Sequence, residues 1–119
     1  MHYIEEIKKE INYIVPYQEN GDTFEFSGQK LFDKKEYIKA SIKFKELICV
    51  QPEHHSGYEG FAFVLYEINE KEKAIWFMKR ALDIAKGFIK EDAISMIIID
   101  EMEENLQAMK LNKRINILW

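Results

Sequence analysis

At 119 residues the chain has room for one hydrophobic core but not two. Its apolar (47%) and charged (32%) fractions are those of a folded chain, and the net charge of −4 argues against a nucleic-acid-binding role. Two prolines and five glycines leave little room for a turn-rich all-β fold. The lone Cys49 has no partner for an internal disulfide. The first residues are charged where a signal peptide needs an apolar core, and no run approaches the ~20 apolar residues that span a bilayer. The expectation is a cytoplasmic protein with no membrane segment.

Ile4, Ile7, Ile11 and Ile14 recur at steps of three and four, which puts them on one face of a first helix. Val15 precedes Pro16 and is biased away from helical angles, so that helix should stop there. Glu19-Asn-Gly-Asp reads as a turn, with Asp22 or Thr23 placed to cap a second helix bearing Phe24, Phe26, Gly28, Leu31 and Phe32. After a break near Asp33-Lys34, a third helix carries Ile38, Ile42, Phe44, Leu47 and Ile48 and ends by Pro52. Ser56 is the expected cap of a fourth helix at 57–68, followed by helices at 71–86 and from Glu91 to Leu111. Gly87 punctuates the last two. Short connections make the neighbours antiparallel. The tail Lys110–Trp119 leads basic residues into Ile115, Ile117, Leu118 and Trp119, an apolar end that must be covered. Folding back on the last helix is the expected outcome, with strand pairing or entry into a partner as alternatives.

Residues 24–52 match a second stretch 34 residues on. Phe24 falls on Tyr58, Gly28 on Ala62, Leu31 on Leu65, Ala40 on Ala74, Phe44 on Met78 and Ile48 on Leu82. A fixed period of this length is the mark of stacked helical hairpins, each burying its apolar face against a neighbour. The run Ala74-Ile-Trp-Phe-Met-Lys-Arg-Ala-Leu-Asp-Ile, with Ala40 and Pro52 in the first copy, resembles the tetratricopeptide repeat (TPR), whose small residues lie where its two helices cross. Leu47, Lys86 and Lys71 depart from its pattern. The resemblance implies an all-α short solenoid: a capping helix over 1–16, repeats over 22–52 and 56–87, a closing helix over 90–111 and a tail over 112–119. A third half-repeat would place Met96 at the small position and Ile99 at the Leu position.

In such repeats the first helix of each hairpin lines a concave groove. The resemblance thus implies a partner-binding surface of Glu25, Phe26, Gln29 and Phe32 with Glu59, Phe63, Tyr66 and Glu67, flanked by Asp33 and Gly60. Continuation into the last helix would add Ile94, Ile97, Asp100 and Glu101. An aromatic floor with an acidic rim should steer basic protein segments by Coulomb attraction and cation–π contact. The second helices carry the lysines (Lys34, Lys35, Lys39, Lys43, Lys45, Lys71, Lys73, Lys79, Arg80) on the outer side. Glu25 and Gln29 stand where the family's carboxylate clamp needs Lys and Asn, so an acidic peptide terminus is not the expected ligand.

Other chemistry is thin in this sequence. Glu53-His54-His55 beside Cys49 has none of the spacings that complete a metal site, and Cys49 among Leu47, Ile48 and Val50 reads as a small buried apolar residue. There is no Gly-rich phosphate loop and no nucleophile elbow. The sequence therefore favours a non-catalytic protein-interaction module with no cofactor, metal or nucleic acid, and with homodimerisation through the end faces open. One alternative is an immunity or antitoxin protein that masks a basic nuclease-type toxin. A more distant one is a small metal-dependent enzyme centred on Glu53, His54 and His55.

Overall fold

The computed structural model describes residues 2–12, 21–87, 93–117 and 119, without the side chains of 21, 22 and 93–95. Among these residues the protein is all-α: α1 Tyr3–Glu10, α2 Gly21–Asp33, α3 Tyr37–Val50, α4 His55–Glu67, α5 Lys71–Gly87 and α6 Ala93–Lys110. The expected ends at Ile14, Val15 and Pro16, the turn at Glu19-Asn20, the Asp22 side chain and the start at Glu91 lie outside the described residues. Thr23 is already inside α2, so it does not cap it. Ser56 is likewise the second residue of α4. The cap is His54, whose extended backbone precedes the helix and whose Nδ1 accepts from the Ser56 N–H at 3.2 Å. Tyr58 ties down the same loop, its hydroxyl donating to the Pro52 carbonyl at 2.7 Å.

Each helix from α2 onward packs on the next, and α2 also packs on α4. The 34-residue period is present in the backbone itself. In the first hairpin the Glu36 N–H donates to Leu31 and the Lys35 N–H to Phe32, with Lys35 at φ 62°. In the second, Glu70 donates to Leu65 and Asn69 to Tyr66, with Asn69 at φ 65°. Both are the same left-handed helix ending, which satisfies the last carbonyls and reverses the chain. Ala40, Ala62, Ala74 and Ala81 are fully buried, as helix axes that approach closely require. Phe44 and Met78, and Ile48 and Leu82, fill equivalent core positions.

The period stops at α6. Its ending, with Asn112 at φ 56° and Lys113 N–H to the Ala108 carbonyl, repeats the motif but not the spacing. Met96 is 46% exposed rather than buried at a crossing, although Ile99 is buried as expected. Burial along α6 follows Ile99, Met102, Asn105, Leu106 and Met109, a single stripe at steps of three and four. This helix covers the end of the stack with one face and turns the other outward.

Helix α1 lies across the second helices of both hairpins. Ile7 and Ile11 are buried, Tyr3 meets the edge of Trp76 with ring centroids 5.2 Å apart, and Lys45 of α3 bonds both Glu10 carboxylate oxygens at 3.1 and 2.9 Å. The second-helix cations are drawn in here: Lys73 stands over Tyr3, Lys45 over Phe61 and Arg80 over Tyr58. Among the described residues no helix is long and apolar enough to cross a membrane.

A tail-filled groove as the candidate functional site

The opposite face is formed by the first helices α2 and α4 with α6, and its floor depends on two missing side chains. A Cβ on Gly28 would lie 2.8 Å from the Phe44 ring, and one on Gly60 only 2.3 Å from it. Real side chains do not approach that closely, so glycine at both positions opens a slot between α2 and α4. Through it Phe44 reaches from α3 to the concave surface.

The chain after α6 occupies this face. From the Asn112 turn, residues 113–117 double back and Trp119 reaches the same face, with Ile115, Ile117 and Trp119 spaced two residues apart. Ile115 is buried, Ile117 half-buried and Trp119 is 41% exposed. The Trp119 ring lies 5.3 Å from Phe32, 5.5 Å from Phe63 and 5.9 Å from Phe44. An extended backbone must find partners for its N–H and C=O groups. Buried Asn105 supplies two, its Nδ2 donating to the Asn116 carbonyl and its Oδ1 accepting from the Asn116 N–H, both at 2.8 Å. The Tyr66 hydroxyl donates to the Lys113 carbonyl.

Beside Trp119 a cavity of about 190 Å³ remains, into which Glu25, Glu59 and Glu101 converge from three helices. Burial first, then the charges of Glu101 and Glu25, push the Glu59 carboxyl up to about 7. His55, one turn earlier on α4, places Nδ1 3.8 Å from Glu59 Oε1 with no hydrogen-bond partner. Burial, with a smaller effect of His54, lowers the His55 imidazole to about 4. The two groups are within ion-pair reach, but both shifts favour the uncharged forms, so near neutrality this is a contact between a neutral imidazole and a partly protonated carboxyl. Carboxyl oxygens framed by the rings of Phe44, Phe63 and Trp119 make a receptacle suited to a cationic side chain.

The structure therefore brings together Glu25, Gln29, Glu59, Gly60 and Phe63 around one cavity. Phe32 and Phe63 are largely buried and reach the groove through Trp119. Tyr66 and Glu67 line a separate hollow with Lys113 and Arg114, and Tyr66 holds the tail rather than open solvent. Phe26 does not line the cavity and is 71% exposed. Glu101 joins the acidic group, Asp100 and Ile97 face outward, and the Ile94 side chain is outside the described set. Phe44, Asn105, Asn116 and Trp119 were not assigned to the groove from sequence. The signal for Phe44 was present in the glycines at 28 and 60, and that for the tail in its apolar end, Ile115, Ile117, Leu118 and Trp119, which had to be covered.

The loop histidines have structural partners. His54 caps α4, His55 turns toward Glu59, and their rings stack at 4.7 Å. They also border a hollow of about 600 Å³ walled by Val50, Ala85, Ile98 and Ile99. Among the described residues no three His, Cys, Asp or Glu side chains are grouped to hold a metal ion. Cys49 is half-buried and its thiol is pushed up by burial, away from the reactive thiolate. Comparison with protein-family models, with curated proteins and with solved structures returned no match to this chain.

Proposed function

We propose that this is a TPR-like, non-catalytic protein–protein interaction module of the cytoplasm that takes an extended basic segment of a partner protein on its concave face. One observation carries the reading: the face already holds an extended peptide segment, gripped at its backbone by Asn105 and Tyr66 and at its side chains by an aromatic floor. Groups that bind main-chain atoms accept many sequences, which is how peptide grooves gain affinity without fixing one ligand. The acidic cavity supplies the preference for positive charge. The cytoplasmic setting rests on the free Cys49.

The experiment is affinity capture with the wild type and a Glu25→Lys/Glu67→Lys variant, at low and at high salt. Both side chains are partly or fully exposed, so the variant should keep its fold. Basic proteins retained by the wild type at low salt should be lost from the variant. Equal capture by the two proteins at both salt levels overturns the reading.

A further inference from the structure

The segment in the groove is held differently from the rest of the molecule. Its bonded main-chain atoms meet side chains whose demands any extended peptide could satisfy. Of its described apolar residues, Ile115, Ile117 and Trp119, only Ile115 is more than nine-tenths buried, and Trp119 leaves about two-fifths of its surface open despite three ring contacts. The indole N–H meets Asp33 Oδ1 at a long 3.4 Å. The segment leaves α6 through the left-handed Asn112 turn, whose bonds close within residues 108–113, so it can swing away without unwinding the helix. The cavity beside Trp119 also offers the carboxyl groups of Glu25, Glu59 and Glu101, for which Ile115, Ile117 and Trp119 bring no cationic side chain.

We propose that residues 113–117 together with Trp119 form a strap that occupies the groove in the resting protein, and that a partner segment of the same chemistry displaces it. That segment is extended, begins with basic residues, has apolar side chains at alternate positions and ends on an aromatic ring. The proposal rests on the groove reading above and adds a regulatory element to it. With the strap in place, the apparent affinity for the partner is the intrinsic affinity reduced by the fraction of molecules whose groove is open. A partner succeeds by outbidding the strap, through a cation in the Glu59 cavity or through local concentration.

The test uses the full chain and a labelled peptide Lys-Arg-Ile-Asn-Ile-Leu-Trp, titrated by fluorescence anisotropy into wild type, Trp119→Ala and Ile117→Ser. Both substitutions lie in the strap and change no side chain that α2, α3, α4 or α6 contributes to the groove. The two variants should bind the peptide roughly tenfold or more tightly than wild type, as expected if they open a groove that is otherwise mostly closed. A peptide with its Trp replaced by Ala should bind none of the three. Equal, measurable affinity in all three proteins overturns the strap and leaves the groove reading standing. Absence of binding in all three, with circular dichroism showing intact helices, overturns both. A wild-type dimer by light scattering that dissociates on adding peptide makes the occupant a second copy of this chain and overturns the partner proposal. Hydrogen exchange tests the wild type without substitution: the Asn116 amide should exchange orders of magnitude faster than the core amides of α4. Core-like protection there overturns the strap.

Discussion

At the back of the stack α1 lies as a helix over α3 and α5, while at the front residues 113–117 lie as an extended segment over the groove, with Trp119 against its aromatic floor. A helix satisfies its own backbone, so α1 can be held by side chains alone: the stripe of Ile7 and Ile11, the Tyr3 edge on Trp76, and Lys45 on Glu10. An extended segment cannot, and the front face must provide Asn105 and Tyr66 to complete it. The charges divide in the same way. Lysines at the back meet carboxylates or aromatic faces, whereas at the front burial, and then the neighbouring carboxyl groups of Glu101 and Glu25, keep the proton on Glu59 to about 7. A cover fixed by specific side-chain packing is a permanent part of the fold. One gripped through its backbone over an unbalanced charge is suited to exchange.

The two faces are joined by Phe44, and its removal is the most damaging change. The ring is 1% exposed, arises from α3 and forms part of the front floor. Phe44→Ala should cost about 3–5 kcal/mol in urea unfolding, because a cavity opens between Gly28 and Gly60 that helices cannot easily close. A loss below about 1 kcal/mol would mean that the two faces are not packed through this ring.

The front-face pair His55 and Glu59 makes a pH prediction with opposing signs. Folded Glu59 keeps its proton to about 7 against an ordinary value of 4.5, so it makes stability fall as pH rises from 4.5 to 7. Folded His55 loses its proton near 4 against 6.5, so it makes stability rise from pH 4 to 6.5. Over the shared range the two trends cancel, and the wild type should be nearly flat. Glu59→Gln should expose the His55 rise and His55→Gln the Glu59 fall, each amounting to at most about 3 kcal/mol across its window. Urea midpoints followed across that pH range decide it; two variants as flat as the wild type would remove the paired shifts.

Gly60→Ala tests the slot through which Phe44 reaches the front. In an ordinary helix the change would stabilise by about 1 kcal/mol. Here the new methyl would meet the Phe44 ring at 2.3 Å, and that ring is itself packed under Trp119. A net loss of about 1–3 kcal/mol is expected, together with a change in Trp119 fluorescence as the floor shifts. Net stabilisation would show that the ring moves aside freely and that the slot is not what shapes the groove.

Much of the back of this molecule was legible in the sequence. Periodicity marked the helices, and the 34-residue offset paired Ala40 with Ala74 and Phe44 with Met78; the structure adds equivalent turns at Lys35 and Asn69, spaced by the same 34 residues. These follow from local steric rules that repeat with the chain. The front was legible only in part. The resemblance to the tetratricopeptide repeat implied that Glu25, Gln29, Glu59 and Phe63 share a groove, but it could not show that Phe44 crosses to that side, because the crossing depends on the absence of side chains on two other helices. Nor could it place Trp119 against Phe32 and Phe63, contacts that span most of the chain and follow no period. The third half-repeat failed at Met96 because burial on α6 follows one stripe rather than a hairpin crossing. Ser56 is not the cap because α4 starts one residue earlier, at His55, so that the His54 imidazole accepts from the N–H of Ser56 itself.

The smallest effect is expected at the back, in the contact most easily overrated. Lys45 and Glu10 form the shortest ion pair between α1 and the stack, at 2.9 Å, yet Glu10 is half exposed and Lys45 also rests on the Phe61 ring. Solvent screening and the entropy of holding two long side chains should limit their coupling to about 0.2–1 kcal/mol. Lys45→Met keeps the apolar stem packed and removes only the charge. A double-mutant cycle with Glu10→Gln isolates the pair, and the coupling should shrink further at high salt. A coupling above about 2 kcal/mol would mean that α1 is fastened by charge rather than by Ile7 and Ile11. The back cover would then respond to salt as the groove does, and the distinction between a permanent cover and an exchangeable one would have to rest on backbone conformation alone.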